Sequence, residues 1–385
     1  MRQSKVKIAV VLGTRPEAIK MAPVIREFKA NPARWQVLVV ATAQHRELLD
    51  QVFRLFDIAP DYDLDIMRED QTLFDITQKA LRGLERAFKD CEPDVVAVHG
   101  DTSTTFIGAL TAFYLKIPVA HVEAGLRTGR RYSPFPEEMN RHLAGVLTDF
   151  HFAPTHKAAW NLRSEGVDGN RILVTGNTVI DALLTVASRE DRPAGLPSLP
   201  EDGRPLVLMT AHRRESFGGP LEHAFEALAQ VAREHPGCRL VYPVHPNPHV
   251  VEPARRILGG LDNVHLTEPL DYAPFVYLMK RARVIITDSG GIQEEAPSLG
   301  VPVLVMREVT ERPEAVAAGT VKLVGTDPEK IRQELSRLLD DPAAHHAMAS
   351  AVNPYGDGQA APRIVAWMAH QYFGDPLPKP FAVDV

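Results

Sequence analysis

The stretch Lys7-Ile-Ala-Val-Val-Leu12, followed directly by Gly13-Thr14-Arg15-Pro16-Glu17, decides the architecture. A short β-branched run ends at a glycine, a cation follows, and Pro16 stands where proline suits the first turn of a helix. Pro16–Lys29 then has helix length and amphipathic spacing. The same alternation recurs outward from it: Gln36–Ala41 with Arg46–Phe53, Asp94–Val98 with Thr102–Tyr114, then Val119–His121, Phe150–Ala153 and Arg171–Val174. Strand-length runs alternating with helix-length stretches predict parallel βαβ units covered by helices on both faces. A second cycle begins at Leu206–Met209 and continues through Arg239–Tyr242, Val264–Leu266, Val284–Thr287, Val301–Val305 and Val321–Leu323. The fold class is therefore α/β with two Rossmann-like domains.

Between the cycles, residues 190–205 carry Pro193, Pro197, Pro200 and Pro205 with Gly195 and Gly203, a composition that suits a connector. A helix at Val179–Val186 borders it, and a last helix at about Arg363–Tyr372 follows the loop Asn353-Pro-Tyr-Gly-Asp-Gly358. At 385 residues the chain exceeds the usual size of a single core. A net charge of -6 gives it no electrostatic reason to sit on nucleic acid or anionic lipid. Cys91 and Cys238 lie far apart with no metal-like neighbourhood, which predicts buried reduced thiols and a cytoplasmic protein. The run Ile8–Leu12 is too short for a signal peptide or a membrane span.

In open parallel sheets ligands bind beyond the carboxyl ends of the strands, so the loops there carry the chemistry. The loop at Gly13 lacks both the P-loop spacing and Gly-x-Gly-x-x-Gly, which argues against a nicotinamide relay and for redox-neutral chemistry. Asp101 in His99-Gly-Asp-Thr102 stands at or beside a helix N-cap. Glu123 follows an apolar strand with no capping role and asks for a partner. Glu137 opens a helix, where Arg141 lies one turn later and in position to pair with it. Thr287-Asp-Ser289-Gly290-Gly291 begins a helix whose free N–H groups suit an anion, leaving Glu294 and Glu295 for hydroxyl recognition. His212, Arg213 and His245 add cations at strand ends of the same half. The spacing of His99, His121, His212 and His245 matches no metal motif.

Taken together, Gly13-Thr-Arg-Pro-Glu-Ala-Ile-Lys-Met-Ala-Pro23, Thr42-Ala-Gln-His-Arg46, His99-Gly-Asp-Thr102, His121-Val-Glu-Ala-Gly-Leu-Arg-Thr-Gly129, Pro136-Glu-Glu138, Gly176-Asn-Thr-Val-Ile-Asp181, His212-Arg-Arg-Glu215, Thr287 to Ser298 and Thr310-Glu-Arg-Pro-Glu314 resemble the bacterial non-hydrolysing UDP-N-acetylglucosamine 2-epimerases, in order and essentially end to end. The resemblance implies a glycosyltransferase-B fold, with residues 1–175 and 361–385 as the sugar acid/base domain, 176–360 as the UDP-binding domain, and a cleft between them. It implies interconversion of UDP-N-acetylglucosamine and UDP-N-acetylmannosamine without metal or nicotinamide, by a homodimer that supplies cell-surface polysaccharide synthesis. Asp101, Glu123, Glu137 and His212 are then the expected catalytic groups. Arg15, Lys20, Arg141, Phe275, Ser289, Gly290, Gly291, Glu295 and Arg312 are expected to bind substrate: Arg15 at the diphosphate, Phe275 near the uracil, Glu295 on the ribose hydroxyls and Arg312 near the nucleotide. Gln44, Gln71, Arg213 and His245, with Glu137, match positions where relatives hold a second UDP-N-acetylglucosamine as activator.

The chemistry asks for such residues. The hydrogen on C2 is not next to a carbonyl, so it becomes removable only as UDP leaves C1. That departure needs preorganised donors, and protons handled on both faces of C2 need at least two carboxyl groups. A glycosyltransferase of the same fold is the nearest alternative and has less use for three carboxylates. A hydrolysing relative differs in releasing UDP and free N-acetylmannosamine.

Overall fold

A computed structural model describes residues 5–42, 46–68, 70–200, 202–213 and 217–382. The chain divides into two compact units, Met1–Ala182 with Tyr355–Asp384, and Leu183–Pro354. The first is built from β1 (Val6–Leu12), α1 (Arg15–Lys29), β2 (Trp35–Ala41), α2 (Arg46–Phe56), β3 (Tyr62–Asp63), α3 (Leu73–Cys91), β4 (Val95–His99), α4 (Ser103–Tyr114), β5 (Val119–Val122), α5 (Glu137–Leu147), β6 (Phe150–Ala153), α6 (His156–Ser164), β7 (Ile172–Val174) and the start of α7 (Thr178–Ala187). Its seven strands lie in the order β3-β2-β1-β4-β5-β6-β7, and every pairing is parallel. In β1, Ile8 and Val10 on one face and Ala9 and Val11 on the other are all buried, as expected for a sheet covered by helices on both sides.

The second unit contains β8 (Leu206–Thr210), α8 (Gly219–Glu234), β9 (Arg239–Pro243), α9 (Pro248–Leu258), β10 (Val264–Thr267), α10 (Tyr272–Arg281), β11 (Ala282–Thr287), α11 (Gly290–Glu295), β12 (Val303–Val305), α12 (Pro313–Ala317), β13 (Val321–Leu323), α13 (Pro328–Asp340) and α14 (Pro342–Ala349). Its strand order is β10-β9-β8-β11-β12-β13, again parallel throughout. The strand order reverses between β1 and β4 in one sheet and between β8 and β11 in the other. At such a switch point the flanking loops diverge and leave a crevice for a ligand.

Helix α15 (Ala360–Phe373) belongs to the first unit. Trp367 packs edge-on against Phe150 and Phe152, with ring centroids 5.2 and 5.4 Å apart, and Phe373 meets Trp35 at 5.1 Å. The buried Asp181 carboxylate accepts the Ala361 and Ala360 amides at 2.8 and 3.2 Å, and the Asn177 amide donates to the Tyr355 carbonyl at 2.7 Å. These bonds join residues 176–182 to 355–361, segments that both lie in the first unit.

β3 and α3 are among the elements that the sequence did not place. β3 is only two residues long. α3 begins at a reciprocal cap, with the Asp75 amide donating to Thr72 Oγ1 at 3.2 Å and the Thr72 amide to Asp75 Oδ2 at 2.9 Å, and it buries Ile76, Ala80, Leu84 and Phe88. Among the described residues no helix is long and apolar enough to cross a membrane.

Candidate active site

In the first unit Arg15 and Lys20 lie on α1 after the β1 loop, Asp101 and Glu123 on the loops after β4 and β5, and Glu137 and Arg141 on α5. Gly13 packs so closely that a Cβ there would stand 2.2 Å from Thr104 Oγ1, so the β1 loop is pressed against the start of α4. Glu17, 2% exposed, joins the two loops. Its carboxylate accepts the Gly13 and Thr14 amides at 2.8 and 2.7 Å and the hydroxyls of Thr102 and Thr105 at 2.5 and 3.2 Å. Burial pushes its pKa up against the pull of Thr102, Gly13 and Thr14. The turn so fixed carries Arg15, which is half-buried and makes no ion pair among the described residues.

Glu123 sits in the left-handed region at φ 63°, uncommon for a side-chain-bearing residue. The conformation accompanies a dense set of contacts: Lys20 Nζ donates to Oε2 at 2.5 Å, Asn177 Nδ2 donates at 2.9 Å, and His99 Nε2 lies 3.8 Å away. Lys20 is therefore engaged with a carboxylate. Burial drives the pKa of His99 down to about 3 and that of His121 to about 4, so both rings are neutral, and His121 Nε2 meets the Gly100 carbonyl at 2.7 Å.

Asp101 does not cap α4. Thr102 does, its Oγ1 accepting from the Thr105 amide at 3.2 Å. The Asp101 carboxylate instead pairs with Arg141, which also lies 3.3 Å from Glu138, while Asn140 Nδ2 donates to the Asp101 carbonyl at 3.0 Å. The expected Glu137–Arg141 pair is thus replaced by Asp101–Arg141, because the neighbouring strand ends bring an acid from another loop to the guanidinium. Burial raises the pKa of Asp101 while Arg141 pulls it down, and burial wins. Glu137, half-buried at the first position of α5, makes no side-chain hydrogen bond or ion pair among the described residues. It stands one turn before Arg141, on the face that meets Asp101.

In the second unit the loops after β8 and β11 meet at Asp288, 1% exposed. Its Oδ2 accepts the amides of His212 and Arg213, each at 2.8 Å, and Oδ1 lies 3.1 Å from His212 Nδ1. Burial opposes ionisation of Asp288, and the contacts from His212 and Arg213 outweigh it, holding the pKa below the usual carboxylate value. The His245 ring stacks on that of His212, centroids 6.2 Å apart. A Cβ at Gly290 or Gly291 would meet only Arg213 Nη2 at 3.7 Å or Ser289 Oγ at 3.9 Å, so no crowding by the protein demands glycine there. Glu295 accepts from the Tyr272 hydroxyl at 2.8 Å, which ties it to the N-terminus of α10, the helix that carries Phe275. Arg312 bonds Glu294.

Of the predicted activator positions, Arg213 and His245 join this cluster. Gln71 is spent within its own loop, taking the Arg68 amide at 2.8 Å and donating to the Ile66 carbonyl at 2.7 Å. Gln44 lies outside the described residues. Among the described residues no group of three or more His, Cys, Asp or Glu is arranged to hold a metal ion.

A family model described as UDP-N-acetylglucosamine 2-epimerase matches residues 26–369. The chain belongs to the UDP-N-acetylglucosamine 2-epimerase family. It is 56% identical over 369 residues to the Yersinia pestis UDP-N-acetylglucosamine 2-epimerase, covering 93% of this chain and 97% of that one. A Listeria monocytogenes crystal structure superposes with a TM-score of 0.93 at 48% identity, over 99% of this chain and 100% of its own. The Neisseria meningitidis UDP-GlcNAc 2-epimerase bound to UDP-GlcNAc matches at 48% identity and TM-score 0.84, over 94% of this chain and 99% of its own. The two parallel doubly wound units of this 2-epimerase family member are of the glycosyltransferase-B type. Sequence reading passed over the roles of Glu17, Asn177, Tyr272 and Asp288 in it. Each sits inside a motif quoted for the resemblance or beside a predicted residue, but its role depends on a partner 23 to 85 positions away.

Proposed function

We propose that this protein is a non-hydrolysing UDP-N-acetylglucosamine 2-epimerase that interconverts UDP-N-acetylglucosamine and UDP-N-acetylmannosamine by elimination and re-addition of UDP. The C1–O bond breaks and UDP departs with the electron pair. A carboxylate takes the C2 proton, and the C–H electrons form the C1–C2 double bond of a 2-acetamidoglucal. A carboxyl group on the opposite face returns a proton to C2, and the waiting diphosphate oxygen closes back onto C1. Atoms and charge balance with no redox partner.

One observation carries the reading: two carboxyl groups at the neighbouring ends of β4 and β5 are kept in contrasting surroundings. Glu123 is held by Lys20 and Asn177, whereas burial pushes Asp101 towards its protonated form against the pull of Arg141. A carboxyl group that burial keeps able to give and take a proton, beside a carboxylate fixed by a cation, suits proton transfer with a tuning partner. Asp101 and Glu137 are assigned to the two faces of C2, with Glu123 tuning and binding beside them. Arg15, His212 and the amides near Ser289, Gly290 and Gly291 receive the diphosphate, Glu295 the ribose hydroxyls, Phe275 the uracil, and Arg312 adjusts Glu294 near the nucleotide. Lys20 and Arg141 act through the carboxylates they hold.

The same reading makes the protein a cytoplasmic homodimer supplying polysaccharide synthesis, activated by a second UDP-N-acetylglucosamine at Gln44, Gln71, Arg213 and His245. Free buried Cys91 and Cys238 fit a reducing compartment. The deciding experiment incubates purified protein with UDP-N-acetylglucosamine in deuterated water and follows C2 by NMR. Deuterated UDP-N-acetylmannosamine with UDP still attached is expected. Product retaining its original C2 hydrogen, or free N-acetylmannosamine with released UDP, refutes the mechanism.

A further inference from the structure

We propose that Asp288 is a positioning residue that aims His212 at the departing diphosphate and balances its charge, a role that rests on the nucleotide reading of the second unit. The β8 and β11 loops flank the switch point of that sheet, and the Asp288 carboxylate is what joins them. Oδ2 takes both amides of the His212-Arg213 turn at 2.8 Å, and Oδ1 faces His212 Nδ1 at 3.1 Å. With Nδ1 turned to the Asp288 carboxylate at ion-pair distance, Nε2 is the ring nitrogen left for a ligand, and the His212 side chain is 44% exposed while that of Asp288 is 1% exposed. An imidazolium in this position donates through Nδ1 to Asp288 and through Nε2 to a phosphate oxygen, so the charge that develops as UDP leaves meets a donor already in place. The Thr210 and Thr287 hydroxyls, 2.6 Å apart at the ends of the same two strands, hold the base of the pair. His245, stacked on His212, limits its rotation.

Asp288→Asn tests the inference because it keeps the shape and changes the proton logic. The carboxamide oxygen serves the two backbone amides, its NH2 then faces Nδ1, and the ring has to accept there and carry its proton on Nε2. In wild-type protein saturated with UDP, 15N NMR of His212 is expected to show both ring nitrogens protonated. In Asp288→Asn it is expected to show protonation on Nε2 alone. The kcat for epimerisation is expected to fall by about 10- to 100-fold with KM changed less than about threefold, because the interaction matters most as the leaving group acquires charge. In a His212→Ala background the same substitution should alter kcat by less than about twofold, since Asp288 acts through the ring. A neutral, Nε2-protonated His212 in UDP-bound wild type overturns the proposal, and that spectrum decides even if Asp288→Asn fails to fold. Unchanged kcat in a folded Asp288→Asn variant, or an equal loss in the His212→Ala background, also overturns it. Should the nucleotide-sugar reaction itself be wrong, the solvent-deuterium experiment fails in wild type, whereas the UDP-free spectrum still reports whether Nδ1 donates to Asp288.

Discussion

Replacing Asp181 with asparagine should change stability by an amount that depends on pH. Asp181 is 5% exposed and accepts the first two amides of α15. Burial raises its pKa to about 6, with the Ala361 and Ala360 amides pulling the other way and the charge of Asp357 adding to the rise. A carboxyl group whose folded pKa exceeds its unfolded value binds protons more tightly in the native state. Its contribution is full below the unfolded value near 3.8 and is lost as pH rises through about 6. At about 1.4 kcal/mol per pKa unit, wild type loses about 3 kcal/mol across that window through this group alone. Asparagine does not titrate and offers its carbonyl to one amide, so its cost, about 1–3 kcal/mol for the amide left unpaired, is nearly constant with pH. The variant should therefore be clearly less stable than wild type at pH 4 and should draw level or pass it by pH 7. Trp367, packed on Phe150 and Phe152, reports α15 docking by fluorescence. Urea unfolding of both proteins at a series of pH values isolates the Asp181 contribution, since all other groups are shared. A stability difference that is flat from pH 4 to 7, or that grows with pH, refutes the reasoning.

Asp101→Asn should abolish C2 deuterium exchange and lower kcat by about 10²- to 10⁴-fold, the usual weight of a lost proton-transfer group. UDP affinity measured by calorimetry should stay near wild type, and full exchange in the variant removes Asp101 from the mechanism. Gly290→Ala brings its Cβ into ordinary contact with the Arg213 guanidinium alone, so the thermal midpoint should move by no more than about 2 °C while KM for the nucleotide sugar rises about tenfold or more. Equal KM would mean that no phosphate approaches that turn. Lys20→Met removes the Lys20 ammonium from Glu123, and kcat should drop by about tenfold or more with the fold intact by circular dichroism. Arg213→Ala should weaken activation, read as reduced sigmoidicity in UDP-N-acetylmannosamine that added UDP-N-acetylglucosamine no longer relieves.

Local sequence determined the elements and the loops that matter. Parallel strands buried on both faces read as continuous apolar runs, so β1, β2, β4 and their counterparts in the second unit were placed to within a residue or two. The residue types at their carboxyl ends pointed to proton transfer and anion binding. α3 carries a local signal in the Thr72 and Asp75 cap and its buried stripe, but it lies apart from the motifs that carry the family resemblance.

What only the tertiary structure decided is which charges meet. Arg141 was assigned to Glu137, its helix neighbour, but β4 and β5 lie side by side and bring Asp101 to it across 40 positions of chain. Glu123 finds Lys20 from 103 positions away, and Asp288 finds His212 across 76. Burial strengthens these pairings by removing competing water, and burial depends on the strand order that reverses at β1/β4 and β8/β11. Side-chain chemistry is written locally, whereas the partner of a buried charge belongs to the sheet as a whole.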